Sequence, residues 1–110
     1  MPKTELTTEL LEIVASRFKA LSEPARLEIL ASLSDGELCV TDLVDRTGLG
    51  QANLSKHLQV LHASGFVGRR KDGLFTYYEL ADRDVMRLMD LMCGRLETEH
   101  AVQRRILARR

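Results

Sequence analysis

A chain of 110 residues, 45% of them hydrophobic, holds one domain's worth of sequence, residues 1–110, and at most one layered core. Charged residues make up 29%, with 16 of each sign, and the zero net charge argues against a disordered polyelectrolyte and against indiscriminate polyanion binding. No run of about 18 apolar residues is present and Met1-Pro2-Lys3-Thr4-Glu5 lacks the order of a secretion signal, so a cytoplasmic protein is expected, away from membranes, with Cys39 and Cys93 as free thiols.

Taken in chain order, Thr7 or Thr8 caps a first helix running to about Leu21, with Leu10, Leu11, Val14, Phe18 and Leu21 as its apolar stripe. Ser22-Glu23-Pro24 restarts the chain, Ser22 as an acceptor for backbone N–H groups and Pro24 in a first turn where no donor is needed. The second helix carries Leu27, Ile29, Leu30 and Leu33 and stops at Asp35-Gly36. A third spans about Val40 to Arg46 and stops at Thr47-Gly48. A fourth runs from about Gln51 to Ala63, with Leu54, Leu58 and Leu61 inward, and stops at Ser64-Gly65. Two short helices joined through Gly48–Gly50 match a helix-turn-helix.

A strand over Phe66–Lys71 follows, then the hairpin signal Asp72-Gly73, then a return strand over Leu74–Leu80. On that strand Leu74, Thr76, Tyr78 and Leu80 share one face and Phe75, Tyr77 and Glu79 the other. Asp82 caps a last helix from Arg83 to Ala101 or beyond. Its Val85, Met86, Leu88, Met89, Leu91, Met92, Cys93 and Leu96 occupy more than one face, which calls for a partner; a second copy of the chain is the simplest one. The expected fold is mainly α with a β-hairpin wing: a winged helix-turn-helix that dimerises through its first and last helices.

Charge is unevenly placed. From Gln51 to Lys71 there is no Asp or Glu, while Lys56, Arg69, Arg70 and Lys71 lie within the stretch. A surface that faces phosphates needs that freedom from negative charge. In a helix-turn-helix the second helix enters the major groove, so Gln51, Asn53, Ser55, Lys56 and His57 are the candidate contacts to double-stranded DNA. Arg69, Arg70 and Lys71 beside the hairpin turn are candidates for the phosphates or the minor groove. An enzyme is disfavoured, because two of three histidines sit on the proposed DNA helix and no Gly-rich phosphate loop exists. A winged helix that binds protein would carry acids on the recognition helix and wing, the reverse of what is found.

The segment from Phe18 to Leu30, with Leu21-Ser22-Glu23-Pro24-Ala25-Arg26-Leu27, resembles the opening of the ArsR/SmtB family of bacterial metal- and redox-responsive repressors. Glu37-Leu38-Cys39-Val40-Thr41-Asp42-Leu43 is similar to the family's third-helix motif. Leu54-Ser55-Lys56-His57-Leu58 with Leu61 and Gly65 resembles its recognition helix, and Gly73 with Tyr77-Tyr78-Glu79-Leu80 its wing. The resemblance covers about residues 12–98. It implies a homodimer that represses transcription until an effector weakens its hold on an operator.

For the effector the resemblance leaves three routes. Arsenite and soft-metal sensors place two cysteines around the start of the third helix; here Cys39 matches one, and Thr41 stands at the other. Sensors of zinc, nickel or cobalt use four ligands at i, i+2, i+13 and i+16 around the last helices, which align with Asp82, Asp84, Arg95 and Thr98; Arg95 cannot ligate a cation. Slipped by two residues, the set reads Asp84, Met86, Glu97 and His100. Of these Asp84, Glu97 and His100 suit nickel or zinc, which makes a transition metal the leading expectation. A redox switch through Cys39 and Cys93 is the third route and needs their Cα atoms within about 7 Å. The arginine-rich tail Gln103–Arg110 carries no assigned role.

Overall fold

A computed structural model of the chain describes residues 5–108, with the side chains of residues 102, 106 and 107 left aside; the first four residues and Arg109 and Arg110 lie outside the described residues. Helix α1 spans Thr8–Ala20, α2 Pro24–Ser32, α3 Val40–Thr47, α4 Gln51–Ala63 and α5 Asp84–Ala108. Strands β1 (Leu38–Cys39), β2 (Val67–Asp72) and β3 (Phe75–Leu80) form one antiparallel sheet in the order β1-β3-β2. No described helix is long and apolar enough to cross a membrane.

Local chemistry fixes the helix ends. Thr7 caps α1, its Oγ1 accepting from the Leu10 N–H at 3.2 Å. Ser22 departs from the expected role: Glu23 is the N-cap of α2, and the Ser22 hydroxyl instead donates back to the Lys19 carbonyl at 2.7 Å, so it closes α1 rather than opening α2. Asp82 does open α5, its Oδ1 accepting from the Asp84 N–H at 2.9 Å. At the end of α4, Gly65 takes φ +81, and a Cβ there would lie 3.3 Å from the Arg17 guanidinium.

The core gathers around the helix-turn-helix. Ile29 and Leu30 from α2 and Leu33 at its C-cap, Leu43 from α3 and Leu54, Leu58 and Leu61 from α4 are fully buried, joined by Phe66, Val67, Tyr78 and Val85. The stripe read on α4 is therefore the face that packs, which fixes the opposite face as the one presented outward.

The wing differs from expectation in two places. Asp72 pairs with Phe75, so Gly73 and Leu74 are the turn residues rather than Asp72 and Gly73. Only Gly73 takes a positive φ (+62), as suits a turn with glycine at its first central position. The sheet also has a third strand: β1 pairs Leu38 with Tyr78 and Cys39 with Tyr77, tying the entry to α3 onto the wing.

Candidate nucleic-acid interface

Gln51, Asn53, Ser55, Lys56 and Gln59 on α4 are all exposed. No acid lies in the first turn of α4, and its N-cap, Gly50, supplies no side-chain acceptor, so the helix presents bare N–H groups at the end that leads. Gln51 and Ser55 form one wall of a cleft of about 370 Å³. Thr76 and Tyr78 of β3 and Cys39 and Thr41 at the start of α3 form the others. Recognition helix and wing thus flank a shared hollow.

His57 is turned away from that surface. Its side chain is only 12% exposed, and its Nδ1 accepts from Arg26 Nε at 3.1 Å while standing 3.4 Å from a Glu23 carboxylate oxygen. Arg26 also reaches Glu23 at 3.5 Å and the Ala20 carbonyl at 3.4 Å. The ring is spent holding α4 against the α1–α2 corner. At about 100° per residue His57 lies about 60° around the helix from Leu54, close enough to the buried stripe to be drawn in.

The three wing cations also separate. Alternation along β2 sends Arg69 and Lys71 to the face of Tyr78 and Thr76, and Arg70 to the opposite face with Tyr77. Arg69 and Lys71 are exposed and make no ion pair among the described residues. Arg70 is engaged: its Nε and Nη2 donate to the two Glu37 oxygens at 3.0 and 2.6 Å, and its guanidinium carbon lies 4.5 Å from the Tyr77 ring centroid. The Arg70 guanidinium holds the Glu37 carboxyl below the usual carboxylate range, and the same hydrogen bond raises Arg70. Nothing in the linear sequence connects Glu37 with this wing, and sequence reading passed it over.

The candidate effector residues are dispersed. Glu97 and His100 line one open hollow on α5 with Glu99 and Gln103. Asp84 begins the same helix, about 20 Å away at 1.5 Å per residue. Among the described residues no three His, Cys, Asp or Glu side chains are grouped to hold a metal ion. Cys39 is the N-cap of α3, its Sγ 3.1 Å from an Asp42 carboxylate oxygen. Cys93 is exposed in an apolar groove of about 300 Å³ walled by Phe18, Leu27, Leu88, Met92 and Leu96. The two thiols are free and line different hollows.

A helix pair with an exposed polar outer face, flanked by a basic antiparallel wing, is the architecture of a winged helix-turn-helix DNA-binding protein. Residues 23–68 match the family described as bacterial regulatory protein, arsR family. The chain is 36% identical over 92 residues to the arsenical resistance operon repressor of Bacillus subtilis, covering 81% of this chain and 88% of that one. The crystal structure of Mycobacterium tuberculosis Rv0081 superposes with a TM-score of 0.78 at 32% identity, over 88% of this chain and 98% of that one. The solution structure of Mb0332 from Mycobacterium bovis, a homodimeric winged helix-turn-helix DNA-binding domain, gives 0.74 at 34% identity, over 88% and 90%. The chain belongs to the arsR family: it is a DNA-binding transcriptional regulator of that family and not an enzyme.

Proposed function

We propose that the whole chain acts as one homodimeric unit that represses transcription by holding an operator until an effector binds. In this reading α4 enters the major groove, with Gln51, Asn53, Ser55 and Lys56 at base edges or adjoining phosphates, and Arg69 and Lys71 reach phosphates from the wing. One observation carries it: Gln51 and Ser55 on the exposed face of α4 and Thr76 and Tyr78 of the wing border one hollow, and the stretch from Gln51 to Lys71, which holds Lys56 and the exposed Arg69 and Lys71, has no acid. Dimerisation is supported by the apolar side chains left open on α1 and α5, among them Phe18 (58% exposed) and Leu91 (72%), and by the homodimeric relative.

For the effector we propose a divalent cation of the nickel or zinc type. Glu97 and His100, at i and i+3 in one hollow, supply two ligands, and Asp84 is too far along the same helix to join them. The site therefore requires Asp84 from the second chain, and the ion would supply a cross-link between the two α5 helices. The alternative of a thiol-based redox or arsenite sensor finds no pairing of Cys39 with Cys93 within one chain, since they line different hollows, whereas Glu97 and His100 already share one.

The test begins with duplexes selected from random sequence by the wild-type chain. Lys56→Glu should lower affinity for the selected operator at least about tenfold, roughly 1.4 kcal/mol, while the dimer mass is unchanged. Equal affinity would remove α4 from the interface. Native mass spectrometry with nickel and zinc, on wild type and His100→Ala, tests the cation site; no uptake by the wild-type dimer would exclude it.

A further inference from the structure

Among the described residues Arg70 is the one cation of the wing tip held in an ion pair, and its geometry has a direction. The strand registers place Arg70, Tyr77 and Cys39 in one row across β2, β3 and β1. The Arg70 side chain follows that row: it lies over the Tyr77 ring at 4.5 Å, and its fork ends on Glu37, the residue just before β1. Asp72 flanks it at 3.8 Å. The side chain of an outer strand thus spans the middle strand and fastens to the segment that leads into α3.

We propose that the Glu37–Arg70 pair is a strap that sets the angle of the wing relative to α3 and α4, making both residues positioning residues for operator binding and leaving the phosphate contacts of the wing to Arg69 and Lys71. The inference rests on the DNA-binding reading above. β1 has only two residues, so the ladder that joins the wing to the α3 entry is short and leaves the hairpin room to twist. A bidentate guanidinium–carboxylate pair is planar and directional, so it restrains that twist. Both partners are exposed, so the pair adds little to global stability and acts on geometry. A guanidinium whose fork holds a carboxylate is also withheld from phosphate. The depressed Glu37 carboxyl and raised Arg70 agree with a pair closed throughout the neutral range.

The opposing picture is a mask: Glu37 occupies Arg70 only until a phosphate displaces it. The two pictures differ in sign. Removing a negative charge near DNA should tighten binding if Glu37 is a mask, and loosen it if Glu37 is a strap. Affinity for the selected operator is measured by fluorescence anisotropy across a salt series for wild type, Glu37→Gln, Arg70→Ala, Arg70→Glu and the exchanged pair Glu37→Arg with Arg70→Glu. Melting temperature and dimer mass are checked for each. The strap requires Glu37→Gln to weaken binding about tenfold. It requires Arg70→Ala to leave the slope of log affinity against log salt unchanged, where loss of a phosphate contact would lower it by about 0.9. It requires the exchanged pair to recover most of the wild-type affinity. Equal or tighter binding by Glu37→Gln, a reduced slope for Arg70→Ala, or an exchanged pair no better than Arg70→Glu alone overturns the strap while DNA binding stands. A wild-type chain that enriches no duplex overturns the DNA-binding reading and the strap together.

Discussion

The middle of the chain and its two ends treat apolar residues differently. Along α4 the three leucines at positions 54, 58 and 61 are sealed, Val60 packs against them, and the other residues between are polar, with His57 turned to a partner. Along α1 and α5 the same helical spacing leaves Leu11, Ile13, Val14 and Phe18, then Leu88, Leu91, Met92 and Leu96, open on the surface. The middle closes its own core and keeps charge outward, as a surface that meets a hydrated polyanion must. The ends hold apolar surface that water leaves unsatisfied, as a surface that meets another protein must. One segment closes on itself with its polar face outward; the other keeps the apolar face that the proposed dimer would cover.

The comparison breaks most sharply at the ends. Leu91→Glu places a charge in the open apolar face without touching the core around α4. We expect the dimer dissociation constant to rise about 100-fold, roughly 2.7 kcal/mol and within the range of a central interface residue. Sedimentation velocity at micromolar concentration reads the change, and circular dichroism checks that the helices persist. A dimer of undiminished strength would show that Leu91 lies outside the interface.

A smaller effect is expected in the middle, where the contrast between Arg70 and its neighbours can be sharpened. Replacing Arg69 and Lys71 together by Ala should lower the salt slope of operator binding by about 1.8, two contacts at about 0.9 each. Because phosphate contacts carry no sequence information, the loss should be similar on the selected operator and on unrelated duplex. A loss confined to the operator would mean that the wing reads bases.

The sequence was legible where a signal is local. Helix α4 is bounded as expected because Gly50 and Ser64-Gly65 punctuate a regular leucine stripe, and the wing is announced by Gly73 between alternating residues. It was illegible where structure depends on distant partners. A two-residue strand has no alternation to read, and β1 exists only because Leu38 and Cys39 meet Tyr78 and Tyr77. The turn is one residue later than Asp72-Gly73 implied, because Asp72 is still paired. His57 looked like a base contact from residue type alone, yet its angle beside Leu54 and the Arg26–Glu23 corner draw it inward. Glu37 and Arg70 are 33 residues apart, and only the sheet brings them together. Of the candidate contacts, composition separated basic from acidic stretches but not a free cation from a committed one.

The smallest expected effect is on that committed pair, and its sign follows from linkage. Arg70 holds the folded Glu37 carboxyl below its unfolded value. A depressed carboxyl contributes its stabilisation above the unfolded pKa and loses it as pH falls through the folded one. The strap should therefore be closed and insensitive to pH across the neutral range and open only in acid, below the usual carboxylate range. Because Arg70 sits on the Tyr77 ring, the ring proton resonances of Tyr77 report the event directly. In wild type they should hold steady across the neutral range and move toward the positions seen in Glu37→Gln only once the pH has fallen below the usual carboxylate range. The difference between the two proteins should vanish at the acid end. A difference that persists in acid would mean that the Tyr77 ring senses something other than the charge on Glu37, and that Arg70 stays in place without it.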